Sequence, residues 1–155
     1  MSQKEGTFLV THADEGSVTL QDVADAQVLT LSENPGIEAG TVVEATVEAE
    51  PPMEGTYTLV GLEAERTIPV ERVALEPTAQ AKETAADQPV GGLTTRERAG
   101  EGEIHVLTVP EDRTDGAATE VIEDTETVAR AARLSVDRVE VRTADGVVSV
   151  RYLPD

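Results

Sequence analysis

The sequence predicts an α+β protein: a small antiparallel β-barrel over residues 1–76, a flexible linker over 77–102 and a β-α-β-β domain over 103–155. Three observations predict it. Short runs with strand periodicity recur up to residue 76, separated by turns that carry Gly, Pro or Asn. Residues 77–102 hold almost no large apolar side chains. Beyond them, a helical apolar spacing leads into two alternating strands joined by Asp145-Gly146.

The first two strands are TFLVTHA and SVTLQD, joined through Asp14-Glu15-Gly16. A three-residue loop with Gly16 in the left-handed region pairs Phe8 with Asp22, Val10 with Leu20 and His12 with Val18. That register puts Phe8, Val10, His12, Val18 and Leu20 on one face, whereas a two-residue loop scrambles the faces. A third strand runs from about Ala26 to Leu31, where Asn34-Pro35-Gly36 ends it. In the fourth, Val43, Ala45 and Val47 alternate with Glu44, Thr46 and Glu48, giving a half-buried strand with a carboxylate-rich outer side. After Pro51-Pro52 and Gly55 the chain returns over Tyr57 to Leu62. A last strand, Thr67 to Leu75, contains Pro69, which suits a sheet edge because proline has no N–H for the ladder.

The segment PTAQAKETAADQPVGGLTTRERAGEG reads as the linker from its Pro, Ala, Thr, Gln and Gly. In the C-terminal part, the near-continuous apolar run Ile104 to Val109 reads as an interior strand. Between Thr114 and Leu134, Ala118, Val121, Ile122, Thr125, Val128, Ala129 and Ala132 recur at helical spacing. Acidic residues early and Arg130 and Arg133 late complement the helix dipole, and Glu126 can pair with Arg130. The two-residue turn Asp145-Gly146 then sets Val139 across from Tyr152, Val141 from Val150 and Thr143 from Val148. The opposite face sets Glu140 across from Arg151 and Arg142 from Ser149.

Charge narrows the setting. Of 155 residues, 31 are acidic and 12 basic, a formal charge of −19, and Lys4 and Lys82 are the only lysines. In dilute buffer such a surplus repels itself; in molar salt the Debye length falls to about 3 Å and the repulsion fades. Aromatics are confined to Phe8, Tyr57 and Tyr152, so the core is aliphatic. Disorder fits poorly, because 39% of the residues are hydrophobic and fall in periodic patterns. The chain has no cysteine, which excludes disulfides and thiolate chemistry. With no signal-like start and no run near 18 apolar residues, the expectation is a cytoplasmic protein without membrane contact.

No catalytic or metal constellation emerges. His12 and His105 lie within predicted strands, lack ligand spacing and read as strand histidines near the core edge. Asp112-Arg113-Thr114-Asp115-Gly116 lacks the alternating oxygens and terminal Glu of a calcium loop. Gly91-Gly92 is not a phosphate loop, and no nucleophile elbow occurs. The expectation is therefore no enzyme, no cofactor and no metal. Arg138, Arg142 and Arg151 share the outer face of the last hairpin and form the candidate surface for a partner or anion. The expected partner is another protein or a second copy. Nucleic acid is disfavoured, because residues 1–76 hold 15 acids against three basic residues.

In strand order the N-terminal part resembles the small barrels of the OB, SH3-like and TRAM types, with Gly36-Ile37-Glu38-Ala39-Gly40-Thr41-Val42-Val43 similar to their glycine-then-strand entry. That resemblance implies a nucleic-acid-associated barrel as the alternative function. The Lys-poor acidic composition and ETVARAARLSVDRVEVRTADGVVSVRYLP together resemble a family of unknown function from halophilic archaea. This second resemblance implies a salt-adapted setting and carries no functional residues.

Overall fold

The computed structural model describes residues 3–51, 55–97 and 102–154. The chain divides into two compact units, Met1–Ile68 and Pro69–Asp155.

The first unit is a closed five-stranded barrel of β1 (Gln3–Ala13), β2 (Val18–Asp22), β3 (Val28–Leu31), β4 (Thr41–Ala49) and β5 (Thr56–Thr67), in the order β1-β2-β3-β5-β4. Four of the five seams are antiparallel; β3 and β5 run parallel, through Thr30–Thr56 and Leu31–Tyr57, so the barrel is not wholly antiparallel as expected. Phe8, Val10, Val18, Leu20, Leu29, Leu31, Ile37, Val43, Ala45 and Val47 form its core. Burying each large aliphatic side chain contributes about 1.5–3 kcal/mol, which is how a core with one phenylalanine suffices.

The first hairpin departs from its expected register at one point. Phe8 pairs with Asp22 and Val10 with Leu20 as predicted, but a bulge between Val10 and His12 places His12 opposite Thr19 and Ala13 opposite Val18. The extra residue turns His12 outward, and Ala13 packs on the core in its place. Gly16 is not in the left-handed region. The Asp14 side chain shapes the loop, its Oδ1 accepting from the N–H groups of Gly16 and Ser17 at 2.9 Å each. The third strand starts at Val28, two residues later than expected, because Ala26 sits in a turn at φ 64°. Asn34 Oδ1 accepts from the N–H groups of Gly36 and Ile37, and this turn delivers Ile37 to the core.

The expected sixth barrel strand belongs elsewhere. β6 (Val70–Arg72) joins the second unit, pairing parallel with Val139–Val141 at the sheet edge, where the missing N–H of Pro69 costs nothing and its carbonyl accepts from Val139 N–H at 2.9 Å. The second unit is a five-stranded sheet in the order β6-β9-β10-β8-β7, with β7 (Leu93–Glu97), β8 (Glu103–Thr108), β9 (Arg138–Ala144) and β10 (Val147–Leu153). It is thus larger than the β-α-β-β unit expected.

The added strand and helix come from the segment read as a flexible linker. α1 (Ala79–Ala86) is capped by Thr78, whose hydroxyl accepts from Ala81 N–H at 3.2 Å. Ala81 and Ala85, one turn apart, bury against Val106, with Ile104 and Val147 alongside. β7 pairs antiparallel with β8, and residues 98–101 of that segment lie outside the described residues. The expected single helix is two, α2 (Thr114–Glu123) and α3 (Thr125–Arg133), because Asp124 adopts an extended conformation and caps α3 through Glu126 N–H at 2.9 Å. Glu126 pairs with Arg133 and not, as expected, with Arg130. The last hairpin has the predicted register at every pair, including Glu140–Arg151 and Arg142–Ser149.

Candidate functional site

The pleat of the β9–β10 hairpin brings Arg138, Glu140 and Arg142 of β9 to the same face as Ser149 and Arg151 of β10. The three predicted arginines gather on one carboxylate. Arg138 Nη1 donates to Glu140 Oε2 at 2.9 Å, Arg142 Nε to Oε1 at 2.5 Å, and Arg151 Nε lies 3.8 Å from Oε1. Arg142 also reaches the Glu76 carbonyl at 3.5 Å.

Glu140 is 6% exposed, a depth at which an ionised carboxylate needs charged donors. Burial pushes its pKa up, and the hydrogen bonds and charges of Arg138 and Arg142 outweigh that, holding the carboxyl below its ordinary range. Exposure grades outward: the side chains of Arg142 and Arg151 are 17% and 14% exposed, that of Arg138 41%. Three guanidinium groups thus gather around one carboxylate within a chain of −19. Beneath them, Ser149 is fully buried and its Oγ has no hydrogen-bond partner among the described residues.

A second cluster lies on the opposite face of the same sheet. Glu103 Oε1 stands 3.0 Å from His105 Nε2 and accepts from Arg130 Nη2 of α3 at 3.1 Å, while the His105 ring lies 5.0 Å from that of Tyr152. Burial lowers the pKa of His105, Glu103 raises it and Arg130 lowers it, with a net downward shift. The hydrogen bond with His105, then that from Arg130, holds Glu103 low against desolvation, and burial pushes the Tyr152 hydroxyl up to about 12. Sequence reading placed His105 near the core edge but missed Glu103 and Arg130. The Glu103/His105 spacing on one strand face was a signal; the contact with Arg130, 27 residues on, was not visible.

The other sequence candidates stay apart from any such grouping. His12 is exposed and contacts Thr11 Oγ1 at 3.2 Å. Asp112 and Arg113 lie in a short 3-10 turn, and Thr114 to Gly116 open α2. Among the described residues, no three His, Asp or Glu side chains are arranged to hold a metal ion, and no helix is long and apolar enough to cross a membrane.

These features define a two-unit α+β protein, a closed barrel followed by a helix-bearing five-stranded sheet that carries an arginine–glutamate cluster. The chain belongs to a family of unknown function, DUF5812, whose model matches residues 4–143 and so reaches from β1 into β9. No curated protein and no solved structure matches it significantly.

Proposed function

We propose that the protein is a non-enzymatic interaction module, working in the cytoplasm at high salt and docking a protein partner or a second copy of itself. The observation that carries this reading is the convergence of Arg138, Arg142 and Arg151 on Glu140. A planar guanidinium array fixed by a carboxylate is pre-organised for directional hydrogen bonds, which persist at salt concentrations that screen long-range charge. The salt setting is supported by the −19 charge and the two lysines.

A second reading, a nucleic-acid-associated barrel, is favoured by strand order. Closure through a parallel β3–β5 pair resembles the five-stranded Greek-key barrels of the OB type. Against it, Glu44, Glu63 and Glu65 stand exposed on β4 and β5, where a phosphate backbone needs positive charge.

Co-purification from a native lysate in molar KCl, followed by light scattering, tests the first reading. A stoichiometric protein partner or a defined oligomer is expected; a chain recovered alone and monomeric overturns it. Filter binding with single-stranded RNA and DNA tests the second, and retention that survives molar KCl would replace the first reading with it.

A further inference from the structure

The arginine cluster already shows what it accepts. Glu140 is a carboxylate gripped from two sides, by Arg138 on Oε2 and by Arg142 on Oε1. Its grip is incomplete in two respects. Two guanidinium groups, those of Arg138 and Arg142, share one carboxylate, and the hydroxyl of Ser149, opposite Arg142 in the ladder, is buried with no hydrogen-bond partner among the described residues. A buried hydroxyl without a partner costs about 1–3 kcal/mol in a native protein, so its retention beside three cations calls for an acceptor.

The geometry points to a carboxylate-binding site in which Glu140 is the resident occupant and an Asp or Glu side chain of an acidic protein segment is the exchanging one. Arg138, the most exposed of the three at 41%, makes the first contact. The incoming carboxylate takes over the donors of Arg138 and Arg142, the Glu140 side chain swings away from them, and Ser149 Oγ–H donates to the oxygen that comes to rest over the strand. A carboxylate suits the site better than a phosphate because the present occupant is planar and takes one guanidinium N–H on each of its two oxygens. The salt dependence is distinctive. A chain of −19 repels an acidic segment in dilute buffer, and molar salt removes that repulsion while the short N–H···O bonds remain.

This inference rests on reading the protein as an interaction module. Its test is calorimetric titration of the full chain with a hexaglutamate peptide in molar KCl, with inorganic phosphate and a single-stranded RNA oligonucleotide as separate arms. The peptide is expected to bind, more tightly in molar than in 0.1 M KCl, and phosphate and RNA are expected to give no heat. Glu140→Gln removes the resident charge and should tighten binding roughly tenfold, the scale of one charged hydrogen bond. Arg138→Gln and Ser149→Ala should each weaken it several-fold, with far-UV circular dichroism unchanged. These two keep the test open if Glu140→Gln folds poorly. Absence of peptide binding at millimolar concentration, equal binding by all variants, or preference for phosphate or RNA overturns the proposal. A natural partner whose binding ignores Arg138→Gln and Ser149→Ala would leave the interaction-module reading standing and remove this one alone.

Discussion

Lys4 Nζ lies 3.0 Å from Asp22 Oδ2, so one of the chain's two lysines is placed on a buried carboxylate of the barrel. Asp22 closes the β2–β3 turn by accepting from Ala24 N–H at 2.8 Å, and Lys4 also reaches Asp25 and Gln27 across that turn. The placement is economical: in a chain that has nearly dispensed with lysine, one remains where an anion would otherwise be buried without a cation.

Replacing Lys4 with Gln should therefore destabilise the barrel by about 1–2 kcal/mol, below the figure for a fully buried pair because Lys4 is 24% exposed and partly screened. Chemical denaturation in molar KCl measures it. A double variant, Lys4→Gln with Asp22→Asn, should recover most of the loss, since no buried charge is then left alone. Equal losses in the single and double variants would refute the pairing as the cause.

His105 makes the second unit sensitive to pH. Its folded pKa is held below the ordinary histidine value of 6.5, chiefly by burial, so folding favours the neutral ring. The sign follows directly. The contribution is fully present above pH 6.5, and it is lost as pH falls through that value toward the folded pKa, because the unfolded chain then binds the proton first. Glu103, Arg130 and Tyr152 face the ring, and Glu103 titrates in a separate, lower window below 4.5. Unfolding free energy should thus decline as pH falls below 6.5, before Glu103 begins to titrate, and His105→Gln should flatten that decline. An unchanged slope in the variant would assign the decline to other groups.

Legibility in the sequence tracked the strength of local signals. The β9–β10 register was readable to the residue because Asp145-Gly146 fixes a two-residue turn and Gly146 takes φ 79° there. That register also disclosed which face Arg138, Arg142 and Arg151 share. It did not disclose that all three meet at Glu140, because side-chain convergence depends on twist and rotamers. His12 was misplaced by a single bulge, which no residue in TFLVTHA announces. α1 was missed because its buried face is Ala81, Thr84 and Ala85, small side chains that barely register as apolar. β6 was misassigned because its partner, β9, lies about 70 residues further along the chain, and β7, although it is adjacent to β8 in sequence, has only Leu93 as a large apolar residue to announce it.

Gln88 secures the segment that was mistaken for a tether. Its Nε2 lies 3.0–3.1 Å from the carbonyls of Gly92 and Val106 and from Thr108 Oγ1, and its Oε1 accepts from Thr94 Oγ1 at 2.6 Å. Gln88→Ala leaves these part-buried groups short of partners and should cost about 2 kcal/mol. The loss should fall on β7, so hydrogen exchange of Thr94 to Arg96 should accelerate well before that of β9. Uniform acceleration across the sheet would show that Gln88 acts on the whole unit and not as a local pin.

Salt should act on the two units unequally. The barrel unit, residues 1–68, carries a net charge of −11, and the larger second unit, residues 69–155, carries −8. On the barrel, Glu44 of β4 is aligned with Ala64 of β5, which Glu63 and Glu65 flank. Neighbouring strands are about 4.8 Å apart, inside the Debye length of about 10 Å at 0.1 M salt and beyond the roughly 3 Å of molar salt. Repulsion among these glutamates is therefore felt in dilute buffer and largely screened in brine. Lowering KCl from molar to tens of millimolar should lose circular dichroism signal, with barrel amides losing exchange protection before those of the second sheet. Glu44→Gln combined with Glu63→Gln should delay that loss at low salt and change little at molar KCl. If the barrel keeps full protection in dilute buffer, salt adaptation is refuted and the acidic surface needs another cause. If both units lose protection together, the unfolding couples them and the charge difference between them does not decide which yields first.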